Sequence, residues 1–474
     1  MWWHDSVIYQ IYPRSFQDSN GDGIGDIPGI TSRLDHVKRL GADAIWLSPI
    51  YPSPNADFGY DVADYTSVDP DYGDLDDFQQ LATAAHDRGL KLLLDFVPCH
   101  TSIDHAWFRD RPEFYFWADE PPNNWCATFG GSAWERDAQT GRYYLHSFFP
   151  EQADLNWRNP DVRHEMTNAM RAWLDRGADG FRLDAIDRIL KDPDLRDDPP
   201  ATEPFPLPLH EEYARLSHIH SGNVPDVALA LEDIRRATDD ALLVGEAYLP
   251  TSRLAPYQEV LDVLFAFEAM NAGPHADRLE RAITAAYQTN RTGWVLSNHD
   301  FDRFATRFGE DTRAAILLFM FLPGPIFMFQ GDEIGMPNGP GVDPPLDRHH
   351  RDAFRHPMPW DATPNGGFTT GTPWLPAIDS KARNVAAEEQ DPNSTLHLVQ
   401  RLARLRKDLP RELRFIESPE HTVVAARGDH VIAINVGDEP AQAPAASHIR
   451  EEARPGDGAD PLRIPPHGGW IAAH

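Results

Sequence analysis

Short apolar runs alternate with helix-like patterns through most of the chain. Eight of these runs have the length and continuous hydrophobicity of buried strands. They are Val7–Tyr12, Ala44–Ser48, Lys91–Val97, Gly180–Asp184, Leu242–Glu246, Leu261–Phe265, Trp294–Ser297 and Ile326–Gln330. Amphipathic segments lie between them, including Ile30–Leu40, Asp74–Arg88, Val162–Arg176 and Val224–Thr238. This alternation predicts an α/β fold, a (β/α)8 TIM barrel, rather than a doubly wound sheet.

Two intervals between the strands are too long for simple loops. Residues 98–159 follow the third strand and are rich in Trp, Phe, Pro and Gly, so we interpret them as an inserted domain. The interval from Asp187 to Asn223 follows the fourth strand, and we expect it to form a long active-site loop. Its composition is rich in proline, with Pro199, Pro200, Pro204, Pro206 and Pro208.

The pattern changes again after the eighth strand. A helix is indicated by one apolar face, formed by Leu398, Leu402, Leu405 and Leu409. Beyond it, Thr422–Ala426 and His430–Val436 flank a Gly428-Asp429 turn and predict a β-hairpin. The predicted organisation is a catalytic barrel over residues 1–97 and 160–409, an inserted domain over 98–159, and a C-terminal antiparallel β domain over 410–474.

Composition narrows the classes of function. The 474-residue chain has 43 basic and 74 acidic residues, a net charge of −31, which disfavours binding to nucleic acid and to anionic membranes. Its two cysteines, Cys99 and Cys126, imply no disulfide framework. The sequence shows neither a leader pattern nor an apolar run long enough to span a membrane, so we expect a cytoplasmic protein.

Polar residues with catalytic potential end four of the predicted strands. Arg182 and Asp184 are two positions apart, so a strand points both side chains the same way, and the guanidinium would keep the carboxylate ionised. Glu246 ends an apolar strand, where burial would raise its pKa and suit it to donate a proton. His100 and the His299-Asp300 pair end two further strands.

Each of these residues alone is compatible with a structural salt bridge or a hydrogen-bonded core histidine. Their coincidence at the carboxyl ends of barrel strands favours an active site. Two carboxyl groups with charge-stabilising neighbours are what cleavage of a glycosidic bond requires.

A second polar cluster follows the first strand. Oxygen-bearing residues and glycines alternate there as in the first half of an EF-hand loop, at Asp18, Asn20, Asp22, Ile24 (through its carbonyl) and Asp26. The twelfth position holds Gly29 instead of an acid, which rejects a true EF-hand. A bound divalent cation and a solvated acidic turn are the two interpretations of this loop.

Several ordered blocks resemble the α-amylase superfamily of retaining glycoside hydrolases, in particular its α-glucosidase and oligo-1,6-glucosidase group. Besides the strand-end motifs, the blocks are Trp3–Phe16, Phe58–Val62, Phe129–Trp134, Phe329–Glu333 and Arg355–Trp360. The resemblance implies that Asp184 is the nucleophile, that Glu246 is the general acid and then base, and that Asp300 binds the 2- and 3-hydroxyls of the sugar and stabilises the transition state.

The resemblance also implies the substrate-binding residues. Arg182, His100 and His299 would hydrogen-bond the nucleophile or the sugar, and Asp61 with Arg355 would close the pocket on a terminal glucose. Apolar walls would come from Tyr60, Phe129 and Phe148. The loop from Asp18 to Asp26 would hold a structural Ca²⁺ or Mg²⁺, and no organic cofactor is expected.

Two positions depart from the usual pattern of the family that the chain resembles, and a third implies a linkage preference. Cys99 stands where Asn is usual, and His356 stands where Thr is usual after Arg355. Ala185, directly after the nucleophile, implies a preference for α-1,4 linkages, since a Val there resembles the isomaltose-cleaving type.

The sequence therefore predicts a retaining, exo-acting α-glucosidase that hydrolyses short α-glucosides of the maltose type or sucrose. An α-glucosyltransferase or a sucrose or trehalose isomerase is the alternative within enzymes. A non-catalytic carbohydrate-binding or interaction protein is the alternative outside them. Whether the chain is a monomer or a homo-oligomer stays open.

Overall fold

Eight parallel strands form a closed barrel in the computed structural model, which describes residues 1–202, 210–444, 446 and 448–473. The strands are β1 (Val7–Ile11), β2 (Ala44–Leu47), β3 (Lys91–Phe96), β4 (Gly180–Leu183), β5 (Leu242–Gly245), β6 (Val263–Phe265), β7 (Thr292–Val295) and β8 (Ile326–Phe329). Their order around the barrel is β1-β8-β7-β6-β5-β4-β3-β2. The predicted TIM barrel is confirmed, and the strands are nearly continuously buried, as their apolar sequences require.

The helices of the described residues follow the same alternation. Their bounds are Ile27–Leu40, Leu75–Asp87, Ala106–Asp110, Pro160–Asp175, Glu211–Ala214, Ala228–Thr238, Ala255–Gln258, Phe267–Met270, Ala276–Tyr287, Phe304–Phe308, Thr312–Phe321, Val385–Gln390 and Thr395–Leu405. Not one of these helices combines the length and the hydropathy that crossing a membrane demands.

The chain forms two compact units. One contains Met1–Trp46, Thr83–Lys91 and Ala266–His474, and the other contains Leu47–Ala82 and Leu92–Phe265. The second unit includes the predicted insertion, where His100–Ser102 pairs with Gln152–Asp154 and a three-stranded sheet has the order Trp117–Ala118, Tyr143–Leu145, Trp134–Arg136. The domain boundaries derived from the sequence stay a prediction.

The interval after β4 has little regular structure where it is described. A single 3₁₀ turn, Ile186–Arg188, follows the strand directly, and the short helix Glu211–Ala214 comes later. Pro204, Pro206 and Pro208, which contributed to the prediction of a long active-site loop, lie outside the described residues.

A five-stranded antiparallel sheet follows the barrel in the first unit. Its order is Arg414–Ile416, Thr422–Arg427, His430–Asn435, Gly468–Ala473, His448–Glu452. The predicted hairpin is confirmed, because Arg427 pairs with His430 across the two-residue turn and Gly428 has a φ of 58°, a left-handed conformation that glycine adopts without strain. The core of the sheet includes Val424, Ala433 and Trp470.

Candidate active site

One guanidinium connects three carboxylates at the carboxyl ends of neighbouring strands in the second unit. Arg182 Nη1 donates to Asp184 Oδ1 and to Asp95 Oδ1, each at 2.7 Å, and its Nη2 pairs with Glu246 Oε1. The strand register explains the arrangement, since Asp95 of β3 and Val244 of β5 lie beside Arg182 of β4. Parallel strands therefore bring the acids from three separate motifs onto one side chain.

Burial strengthens the charge interactions within this cluster. Arg182 is fully buried, which opposes its charge, but Asp95, Glu246 and Asp184 raise its pKa well above the ordinary value. Burial raises the pKa of Asp95 to about 7, although Arg182 and the Tyr60 hydroxyl, which donates to Asp95 Oδ2 at 2.8 Å, both act to lower it. The site thus contains one permanently charged guanidinium, which interacts with three acidic groups.

His100 has one nitrogen engaged and one available. Its Nε2 lies 3.0 Å from the carbonyl oxygen of Tyr60, whereas its Nδ1 is buried and has no hydrogen-bond partner among the described residues. The imidazole lies 5.3 Å from the ring of Phe148, which in turn lies 5.8 Å from the ring of Phe129. A buried nitrogen without a partner beside two aromatic rings suits a ligand that carries both hydroxyls and an apolar face.

Asp61 is held by its own loop. Its carboxylate accepts hydrogen bonds from Ser53 Oγ at 2.7 Å and from the backbone N–H groups of Ala56 and Asp57 at 2.8 and 2.9 Å. The side chain is fully buried, and burial raises its pKa.

Ala185 adopts a left-handed backbone conformation directly after Asp184. Its φ and ψ are both 44°, and the residue is buried. A residue with a Cβ is strained in this region, and a β-branched residue is strained more. The sharp turn leads from β4 into the 3₁₀ turn Ile186–Arg188.

A second polar cluster lies at the end of β7 in the first unit. Asp300 Oδ1 accepts from Arg351 Nη1 at 2.9 Å and from Arg355 Nη2 at 3.2 Å, and Asp300 Oδ2 lies 3.2 Å from His299 Nε2. Gln10 Nε2, on β1, lies 2.9 Å from His299 Nδ1. The predicted residues His299, Asp300 and Arg355 are therefore mutual neighbours.

Three residues that had no role in the predictions from sequence complete these clusters. Asp95 lies within the predicted strand Lys91–Val97, and its register opposite Arg182 is the signal that identifies it. Arg351 begins the short 3₁₀ turn Arg351–Phe354 and Asp347 precedes it, in a segment whose sequence has no periodicity. Asp347 binds both Arg351 and Arg355, at 2.7 and 3.2 Å.

The loop from Asp18 to Asp26 is closed by its own hydrogen bonds. The Asp18 carboxylate accepts from the N–H groups of Asn20, Gly21 and Gly23, at 2.7 to 2.9 Å, and from the Thr369 hydroxyl. The Asp26 carboxylate accepts from Gly29 N at 2.6 Å and begins the helix Ile27–Leu40.

Oxygen donors of this kind suit Ca²⁺ or Mg²⁺, and Asn20 and Asp22 engage their side-chain oxygens with only one N–H each. Across the described residues, however, the acids of this loop do not bring three carboxylates within 4.8 Å of one another. The structural cation stays a prediction.

Cys99 faces a buried lysine. Its thiol lies 3.5 Å from the carbonyl oxygen of Arg188, and the same carbonyl accepts from Lys191 Nζ at 2.5 Å. Lys191 also pairs with Asp154 at 2.8 Å. Cys99, His100 and Asp154 bring ligand atoms within 4.8 Å, but the ammonium group on Asp154 opposes a metal ion there.

His356 lies between two carbonyl groups. Its ring nitrogens are 2.8 Å from the oxygen of Pro376 and 2.9 Å from that of Pro340. Arg355 beside it keeps its bonds to the Asp300 cluster, so the unusual His does not separate Arg355 from its partners.

Comparisons with known proteins agree with this geometry. The family model of the alpha amylase catalytic domain matches residues 10–413. An oligo-1,6-glucosidase of Parageobacillus thermoglucosidasius is 39% identical over 86% of this chain and 84% of its own length. A probable alpha-glucosidase of Rhizobium meliloti (strain 1021) is 38% identical over 88% and 85%.

Solved structures show the same likeness. The alpha-glucosyl transfer enzyme XgtA superimposes with a TM-score of 0.91 at 35% identity, covering 99% of both chains. The trehalulose synthase MutB of Pseudomonas mesoacidophila MX-45 gives a TM-score of 0.88 at 31% identity, covering 100% of this chain and 99% of its own.

Proposed function

Because the chain belongs to the α-amylase family of glycoside hydrolases, we propose that it is a retaining, exo-acting α-glucosidase of short α-glucosides. The observation that carries the proposal is the binding of Asp184 and Glu246 to the single guanidinium of Arg182. Because both carboxyl groups contact one cation, they lie close to each other. This supports the separation of about 5–5.5 Å between the carboxyl groups of retaining enzymes, rather than the wider separation in inverting enzymes.

Asp184 is the proposed nucleophile. Its carboxylate attacks C1 of an α-glucoside while Glu246 donates a proton to the departing glycosidic oxygen, which leaves as an alcohol. The β-glucosyl ester on Asp184 is then hydrolysed by a water whose proton returns to Glu246, and glucose with the α configuration is released. Arg182 favours the ionised form of Asp184 before the attack.

Substrate binding in this proposal uses the remaining polar and aromatic groups. His100 Nδ1 forms a hydrogen bond with a sugar hydroxyl, and Phe148 and Phe129 contact the apolar face of the ring. Asp300 binds the 2- and 3-hydroxyls and stabilises the oxocarbenium-like transition state, with His299 and Arg355 as its partners. Asp61 is the proposed contact to the non-reducing edge of the terminal glucose.

Glucosyl transfer is the second candidate function. The same glucosyl-enzyme serves both reactions, and the products depend on whether water or a sugar hydroxyl attacks it. The likeness to an alpha-glucosyl transfer enzyme and to a trehalulose synthase favours this candidate.

Three measurements test the proposed functions. Release of nitrophenol from p-nitrophenyl α-glucoside would establish turnover, and its absence from the folded protein would favour a non-catalytic carbohydrate-binding role. Proton NMR of the first product should show α-glucose, whereas β-glucose would contradict retention. Product analysis with maltose and sucrose then separates hydrolysis, which liberates glucose, from transfer or isomerisation, which forms new disaccharides.

A further inference from the structure

Asp347 is the centre of a compact ion cluster next to the proposed sugar-binding acid Asp300. Its buried carboxylate binds Arg351 through two nitrogens, with Nε 3.0 Å from Oδ1 and Nη2 2.7 Å from Oδ2. Arg355 Nη1 lies 3.2 Å from the same Oδ2. The backbone N–H of His349 donates to Oδ1 at 2.8 Å and fixes the carboxylate in its loop.

Each of the two arginines spans both carboxylates. Arg351 uses Nη1 for Asp300 at 2.9 Å, and Arg355 uses Nη2 for Asp300 at 3.2 Å. Arg355 also donates from Nε to the carbonyl oxygen of His299 at 2.8 Å. A guanidinium is planar and its donors are fixed, so anchoring one edge of it on Asp347 sets the direction of the edge that meets Asp300.

The four groups balance in charge. Two guanidiniums and two carboxylates sum to zero, whereas the same cluster without the charge of Asp347 would carry one net positive charge. Burial acts to raise the pKa of Asp347, but Arg351 and Arg355 lower it well below its ordinary value, so the carboxylate is ionised.

We propose that Asp347 is a positioning residue that orients Arg351 and Arg355 on Asp300 and neutralises their charge where the glycosyl cation develops. This inference rests on the proposed function, because it assumes that Asp300 stabilises the transition state. A glucoside is neutral in its ground state and gains positive charge as the bond to C1 breaks. An uncompensated guanidinium beside Asp300 therefore raises the energy of the transition state more than that of the bound substrate.

The test compares Asp347→Asn, which keeps the shape but removes the charge, with Asp347→Glu, which keeps the charge. Asp343→Asn is the matched control, because Asp343 is an exposed acid of the same segment. For Asp347→Asn we expect kcat to fall by about 10–100-fold, the range typical for loss of an orienting partner, with little change in KM. Asp347→Glu should recover part of this loss, and Asp343→Asn should behave like the wild type.

Inhibitor binding separates the charge effect from a general loss of structure. In Asp347→Asn the Ki of the protonated glucose analogue 1-deoxynojirimycin should rise by about 10-fold or more, while the Ki of neutral glucose changes by less than about twofold. The active fraction is counted by mass spectrometry after trapping the glucosyl-enzyme with a fluorinated glucosyl fluoride, so that misfolded molecules do not lower the apparent kcat.

Equal weakening of both inhibitors, or a kcat per active site equal to that of the wild type, would overturn the inference. Neither result would affect the proposed function, which depends on the wild-type enzyme cleaving α-glucosides. If the wild type cleaves none, the proposed function fails by itself, before any variant is compared.

Discussion

At the residue scale, Arg182 contacts both proposed catalytic acids, so variants of these two acids test the mechanism most directly. Asp184→Asn should lower kcat at least about 10³-fold, since no covalent intermediate can form. Glu246→Gln should fail on maltose but retain much of its first step on p-nitrophenyl α-glucoside, whose leaving group needs little protonation. Steady-state and burst kinetics on the two substrates measure both effects.

Asp110→Asn is a suitable control for these variants, because Asp110 is an exposed acid at the end of a helix. It should keep wild-type kinetics on both substrates. Wild-type turnover by Asp184→Asn would show that another residue is the nucleophile.

Asp95 gives the protein a pH-dependent stability. Burial raises its pKa from 3.8 to about 7, so the folded protein binds this proton more tightly than the unfolded chain does. Its stabilising contribution is therefore full below about pH 4, falls as the pH rises, and is lost above about pH 7. Asp95→Asn cannot ionise and does not lose this contribution. As the pH rises from 5 to 8, the difference in unfolding free energy between variant and wild type should therefore shift in favour of the variant by about 1–3 kcal/mol.

Urea unfolding of both proteins across this pH range measures the difference. Asp110→Asn, at an exposed position, is the control for the chemical change from Asp to Asn. A constant difference for Asp95→Asn would mean that Asp95 is ionised in the folded protein throughout.

Ala185 combines substrate selection with backbone strain. Its methyl group should leave room for α-1,4-linked substrates, so maltose and sucrose should be better substrates than isomaltose. Ala185→Val should shift the ratio of efficiencies towards isomaltose, on the order of 1–3 kcal/mol in differential activation energy. Since φ is 44°, this variant should also lower the Tm, whereas Ala185→Gly should not.

The ratio of kcat/KM values for maltose and isomaltose decides between the two effects. A ratio that stays constant in Ala185→Val, despite a lower Tm, would show strain without selection. The described part of the interval from Asp187 to Asn223 would then be the next place to look for the selector.

The residues of the proposed site divide clearly into those that the sequence could reveal and those that it could not. Asp184, Glu246, His299 and Asp300 follow apolar runs that mark buried strands, and Arg182 lies within one of these strands. Asp95 gains meaning only from its register against the neighbouring strand, and Asp347 only from contacts made by a segment without periodicity. Roles that depend on such pairing between distant parts of the chain are not encoded locally.

At the scale of elements, hydrophobic patterns located all eight barrel strands to within about two residues. Two of the four helix starts expected from the sequence were less accurate. The helix predicted from Ile30 begins at Ile27, because Asp26 caps it and Pro28 is tolerated in the first turn. The helix predicted from Val224 begins at Ala228, and the preceding Asp226 binds Arg158 instead.

The loop from Asp18 to Asp26 is an element whose cation is open to test. If it holds Ca²⁺ or Mg²⁺, exhaustive EDTA treatment should lower the Tm by several degrees while the pH profile of activity stays the same. Asp22→Ala is the informative variant, because Asp22 accepts only one N–H in the loop, from Ile24. Its Tm should no longer respond to EDTA.

Ser394→Ala, which removes the cap of another helix, Thr395–Leu405, is the control for a loss of stability that does not depend on metal, since loss of a helix cap costs about 0.5–2 kcal/mol. An EDTA-insensitive wild type, with no metal in elemental analysis, would identify the loop as a turn closed by its own hydrogen bonds.

At the scale of the whole molecule, a buried arginine attaches the C-terminal sheet within the first unit. Arg427 is fully buried and donates to the carbonyl oxygens of Pro410, Phe321 and Leu409, at 2.5 to 3.2 Å. Arg427→Met should therefore destabilise the protein by about 2–4 kcal/mol, since several buried acceptors lose their donor. Arg414→Met, at an exposed position of the neighbouring strand, should cost far less.

Thermal unfolding measures these costs, and kcat/KM per folded molecule should be unchanged in both variants. A Tm for Arg427→Met within about a degree of the wild type would mean that water replaces the guanidinium without cost.

The helix Thr312–Phe321 raises a problem for synthesis on the ribosome. It is buried on every side, and strands His430–Asn435 and Gly468–Ala473 pack against it. The second of these strands is translated about 150 residues after the helix, a delay of roughly 8–30 s at typical elongation rates. During that time the apolar surface of the helix is not yet covered by both strands. Either a chaperone must bind the nascent chain in this interval, or neighbouring chains can aggregate with it.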